Sequence, residues 1–106
     1  MGVWDRIEYL IGQSLKTLEQ NQPFEIMEIT PSDIQICIYS TLETRRIKRG
    51  IVEAVWLQLA SDGCLKESTI QESYSSSNAP FISAILAPMP NVTYRLDPVE
   101  LSVTTP

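Results

Sequence analysis

Residues 44–50 read TRRIKRG, so four cationic side chains, Arg45, Arg46, Lys48 and Arg49, fall within five consecutive positions. Guanidinium and ammonium groups at this density suit one kind of chemistry. They hold phosphate or carboxylate oxygens, and a guanidinium can engage two at once. The cluster is therefore a candidate anion-binding site. The competing reading is a set of solvated charges on a strand-to-helix connection. If a helix starts near Arg46 or Ile47, the cations occupy the positive end of its dipole, at a cost of ~0.3–1 kcal/mol each. Glu43 would offset one of them, and a bound anion would gain from both the dipole and the side chains.

Catalytic chemistry has little to work with. The chain holds no histidine, so acid–base work near neutral pH would fall to tuned carboxylates, Lys or Cys. Cys37, set in IQICIYS, and Cys64, after Gly63, read as two buried free thiols without an imidazole partner. The turn Ser75-Ser76-Ser77 has neither a strand elbow nor a base. Glu25, Glu28 and Asp33 could cluster on a hairpin, yet such spacing is ordinary on a solvated strand. The glycines at 2, 12, 50 and 63 are isolated and form no phosphate loop. A non-enzymatic protein is expected, with no catalytic residue, metal or cofactor.

The charge balance narrows the partners. Eight Lys and Arg face thirteen Asp and Glu, a net charge of −5. Setting the cluster aside leaves four cations against the same thirteen acids. Positive charge is focal, and the remaining surface repels polyanions and anionic membranes. No apolar run approaches the ~20 residues of a membrane span. The opening MGVWDRIEYL lacks the basic region and apolar core of a signal peptide, and Arg6 stands where a myristoylation signal wants Ser or Thr. These features lead us to expect a cytoplasmic protein without membrane contact. Its length of 106 residues suits a single domain spanning 1–106.

The elements that would position these residues follow from periodicity. Trp4, Ile7, Ile11, Leu15 and Leu18 recur at spacings of three and four, predicting an amphipathic helix over 3–20 that ends before Pro23. FEIMEIT and IQICIYS flank Pro31-Ser32-Asp33, predicting an antiparallel hairpin over 24–39 with a bulge at Ile26-Met27. If its second strand is an edge, a homodimer could form there. Helical periodicity returns from Ile47 to a C-cap at Gly63, apolar over so wide an arc that this helix is expected to be central. Cys64-Leu65 is a short extended link, and Ser68-Thr69-Ile70-Gln71 has capping-box spacing for a short helix to about Tyr74. A further helix follows Asn78, with Ile82, Ile85, Leu86 and Met89 on one face and Pro88 and Pro90 ending it. Val92–Leu96 and Val99–Val103 alternate about Asp97-Pro98 as a second hairpin. Trp4 and Trp56 are assigned to core packing, as are Tyr39 and Tyr94, for which stacking on bases or filling an interface is the alternative use.

The fold class is thus α+β: an N-terminal helix and β-hairpin over 1–40, then a helix, helix, helix, hairpin unit over 45–103. That second unit resembles the winged helix-turn-helix superfamily in element order and length. The resemblance rests on IVEAVWLQLASDG, ESTIQESY, NAPFISAILAP and NVTYRLDPVELSV. It implies a third helix entering the major groove and a wing against the backbone, adding Ser76, Ser77, Asn78 and Arg95 to the candidate nucleic-acid or anion-binding set. The third helix offers Ser77, Asn78, Ser83 and alanines outward, with no Arg, Lys or Gln. Direct base readout rests on such side chains. Two functions stand side by side. One is a binding module in a nucleic-acid-handling or regulatory complex, working through 45–49. The other is a protein–protein adaptor or inhibitor with no nucleic-acid binding of its own.

Overall fold

The computed structural model describes residues 2–104. Its elements run α1 (Val3–Glu8), β1 (Ser14–Lys16), β2 (Pro23–Ile29), β3 (Asp33–Ile38), β4 (Glu43–Lys48), α2 (Arg49–Asp62), β5 (Cys64–Lys66), α3 (Glu67–Ser73), α4 (Ala79–Leu86), β6 (Val92–Arg95) and β7 (Glu100–Val103). The class is α+β, with two antiparallel sheets ordered β1-β2-β3-β4 and β5-β7-β6.

The N-terminal helix is much shorter than its periodicity suggests. α1 ends at Glu8, and Gly12 turns the chain with a φ of 80°, a conformation side chains other than glycine adopt at a cost. The Gly12 amide then donates to the Ile26 carbonyl. Leu15 therefore lies on strand β1, and Ile11 is exposed. Three- and four-residue spacing past Gly12 was coincidental with the helical repeat.

The hairpin β2–β3 follows the alternation of isoleucines. Ile34, Ile36 and Ile38 are all buried on one face, and the register slips between Ile26 and Glu28, placing the bulge where the pattern breaks. Thr30 closes the turn: its hydroxyl accepts from the Ser32 and Asp33 amides and donates to the Asp33 carboxylate. β3 is an interior strand, however, because β4 pairs along its far side. The edge required for a homodimer through this hairpin does not exist at β3.

α2 begins at Arg49 and ends at Gly63, whose φ of 81° supplies the left-handed cap. It is not the central helix. It buries one stripe, Val52, Val55 and Leu59, while Leu57 is 68% exposed and Trp56 half-buried. The central helix is α4, in which every residue from Phe81 to Leu86 is buried. Phe81 meets Phe24 of sheet β1–β4 edge to face, with ring centroids 5.1 Å apart. The inner face of that sheet, α1, α2, α3 and α4 share one hydrophobic cluster.

The capping box before α3 does not form. Lys66 is the N-cap residue and Ser68 lies inside the helix, because strand β5 runs directly into it. The C-terminal hairpin forms as expected, with Leu101 and Val99 buried. Tyr94 and Tyr39 are exposed at 50% and 40%, contrary to their assignment to the core. Cys37 is half-buried, whereas Cys64 is exposed on β5, and both are free. No helix among the described residues is long and apolar enough to cross a membrane.

Candidate interaction surface on strand β4

The basic cluster lies on a strand. Arg45, Arg46 and Lys48 belong to β4, and only Arg49 enters the helix. Alternation along a strand sends neighbouring side chains to opposite faces, so the four cations do not form one patch. Arg45 shares a face with the buried Ile47 and stands across from Ile36. Its guanidinium lies 5.3 Å from the Phe81 ring centroid, donates to the Ser77 carbonyl at 2.7 Å and pairs with Glu43 at 3.1 Å. Arg45 thereby fastens the sheet to the turn before α4. The oxygens it holds, the Ser77 carbonyl and the Glu43 carboxylate, belong to its own chain.

Arg49 is similarly engaged. It stacks over Trp4 at 5.1 Å, donates to the Pro31 carbonyl and pairs with Glu53. Arg46 and Lys48 project from the opposite, solvent-facing side of the sheet and are exposed. Arg46 pairs with Asp33 at 3.1 Å. Lys48 makes no ion pair with the described residues.

The remaining candidates separate. Arg95 lies on the other sheet, paired with Glu100 at 2.5 Å. Ser76 and Ser77 are exposed, while Asn78 is half-buried, its amide donating to the Ser75 hydroxyl. Asn78 starts α4 without a side-chain cap. Ser77 is joined to Arg45, but through its backbone carbonyl. Ser83, expected to face outward from the third helix, is fully buried. α4 packs against sheet β1–β4 through Phe81 and Phe24, with its residues from Phe81 to Leu86 all buried.

Two carboxylates have unusual surroundings. Burial pushes the Glu67 carboxyl up from its ordinary range, partly offset by the nearby Ser83 hydroxyl. Neither Glu67 Oε1 nor Ser83 Oγ has a hydrogen-bond partner of good geometry. Glu25 accepts the Tyr39 hydroxyl at 2.5 Å, which holds that phenol above its usual range. Glu25, Glu28 and Asp33 do not gather: Glu25 serves Tyr39, Asp33 serves Thr30 and Arg46, and a bulge separates Glu25 from Glu28. Among the described residues, no group of three or more His, Cys, Asp or Glu could hold a metal ion.

What residue types could not reveal is the backbone of β4. The strand is an edge of its sheet. The Arg49 amide donates to Ser32 O, which sets the phase of the β3–β4 ladder. In antiparallel pairing that phase alternates, so residues 43, 45 and 47 turn their amides to β3. Thr44, Arg46 and Lys48 turn theirs outward, and all three are exposed. Alternation through T-R-R-I-K was the available signal, obscured because the inward position 45 is an arginine. Comparison with protein-family models, curated proteins and solved structures found no match in any of the three.

Proposed function

We propose that the chain is a non-enzymatic binding module that docks a protein partner, within a regulatory or nucleic-acid-handling assembly. The observation that carries this reading is the burial of α4. A helix whose Phe81, Ile82, Ser83, Ala84, Ile85 and Leu86 are all buried has no face left to enter a groove. The order α2, β5, α3, α4, β6, β7 and the sheet order β5-β7-β6 support a winged-helix-like reading of the second half. That superfamily also serves for protein docking, and the covered third helix favours such a use here.

Nucleic-acid binding through the basic cluster is the second reading, favoured by the exposure of Arg46 and Lys48 on one face. Specific binders commonly make ~6–10 phosphate contacts; Arg45 and Arg49 are held by their own chain, and Arg95, exposed and paired with Glu100, lies apart on the other sheet. Two exposed cations give a weak electrostatic footing on an acidic protein. Fluorescence anisotropy with labelled duplex DNA, single-stranded DNA and RNA separates the readings. Protein docking predicts no saturable binding at low salt. Micromolar binding that collapses with added salt would overturn it in favour of the nucleic-acid reading.

A further inference from the structure

The free backbone groups of β4 and the distribution of charge over the strands point to a particular partner. Lys and Arg lie on all four edge strands of the two sheets: Lys16 on β1, Arg45, Arg46 and Lys48 on β4, Lys66 on β5 and Arg95 on β6. The interior strands β2, β3 and β7 carry none, and bear Glu25, Glu28, Asp33 and Glu100 instead. An open edge is a template for another strand, and charge determines which strand it accepts. Antiparallel self-pairing of β4 would bring arginines of two copies alongside one another, a destabilising arrangement. The other edges of a second copy would bring Lys16, Lys66 or Arg95, again cations. Each edge strand among the described residues would thus set a cation beside those of β4.

β4 also differs from the other edges in extent. β1 and β5 are three residues long and β6 is four, whereas β4 runs for six. The outward amides of Thr44, Arg46 and Lys48, with the outward carbonyls of Thr44 and Arg46, are spaced for an added strand, the Lys48 carbonyl being taken by the first turn of α2. The side chains on the outer face are cationic at 46 and 48, and the residue between them, Ile47, is apolar and inward. Arg46 is committed only to a solvent-exposed pair with Asp33, a kind that exchanges readily for a better-placed carboxylate.

We infer that β4 accepts an extended segment of a protein partner by strand addition, a segment alternating acidic residues on the outer face with apolar residues on the inner. The main chain of the segment supplies affinity through the three outward residues of β4. Its carboxylates supply choice by facing Arg46 and Lys48. This inference rests on the protein-docking reading above and specifies the chemistry of the docked segment.

The test is an amide NMR titration of the full chain with the capped peptide VEVEVEV, beside its lysine counterpart VKVKVKV. At millimolar glutamate peptide, the Thr44, Arg46 and Lys48 amides should shift and become protected from solvent exchange. The lysine peptide should leave them unchanged. R46Q/K48Q should weaken the glutamate peptide by about tenfold, from two cross-strand charge pairs. R46E/K48E should exchange the preference toward the lysine peptide. If a carboxylate at 46 facing Asp33 prevents folding, the neutral double variant alone still decides the matter. Unmoved amides at 44, 46 and 48, or equal binding of both peptides, would overturn strand addition while leaving protein docking standing. Micromolar, salt-sensitive binding of an oligonucleotide at those same amides would overturn the docking reading itself.

Discussion

Replacing Arg45 with alanine should destabilise the fold far more than the same change at Arg46, its neighbour in sequence. Arg45 is held at three points: the Phe81 ring at 5.3 Å, the Ser77 carbonyl at 2.7 Å and the Glu43 carboxylate at 3.1 Å. A partly exposed cation–π contact is worth ~0.5–1 kcal/mol. A hydrogen bond from a charged donor is worth ~1.5 kcal/mol at the lower end, appropriate to a side chain 30% exposed. The ion pair with Glu43, itself half-exposed, adds ~0–0.5 kcal/mol. The loss on R45A is therefore about 2–3 kcal/mol. For Arg46, 57% exposed with a single ion pair, it is ~0–0.5 kcal/mol. Urea denaturation followed by tryptophan fluorescence measures both, and the midpoint should shift without a change in slope. A double-mutant cycle with F81L should return a coupling of ~0.5–1 kcal/mol for Arg45 and none for Arg46. Equal losses at 45 and 46 would refute the division of the cluster into an inward anchor and an outward pair.

Other outcomes follow from the same packing. Gly63→Ala should cost ~1–2 kcal/mol, because its φ of 81° is left-handed while nothing lies near enough to clash with an added Cβ; thermal melts read this directly. Ser83→Ala should leave stability within ~1 kcal/mol of the wild type, since losing a buried hydroxyl without a hydrogen-bond partner is set against losing its support of the ionised Glu67 carboxylate. Glu67→Gln should raise the melting temperature at neutral pH. Glu67 has a folded pKa above its unfolded one, so ionising it burdens the folded state. Stability is therefore lost as pH rises from the unfolded value through the raised folded one. The advantage of the glutamine should vanish in acid, where both states of the wild type are protonated.

Several elements were legible in the residues. The isoleucine alternation of β3, the bulge at Met27, the stop of α2 at Gly63 and the C-terminal hairpin each rest on local chemistry that tertiary packing did not override. β1 was obscured because Leu15 and Leu18 continue a helical spacing that Gly12 interrupts. β4 was obscured for an opposite reason. Its inward positions are Glu43, Arg45 and Ile47, so only one apolar residue marks the inner face. A guanidinium lying over Phe81 does the work of an apolar side chain, and no periodicity scale registers that. The centrality of α4 over α2 depends on which helix the four-stranded sheet covers, a long-range fact. The residues of the cluster were identifiable from the outset; their division between faces required the strand.

The most direct test of the covered third helix, and so of the function built on it, is native-state amide hydrogen exchange across α4. If sheet β1–β4 stays closed over that helix, the Ile82–Leu86 amides should exchange only by global unfolding, with the largest free energy in the chain. Exchange of those amides through an opening well below the global value, with β2–β4 released together, would contradict it. In that case α4 would become available to a groove, and the nucleic-acid reading would be the stronger one.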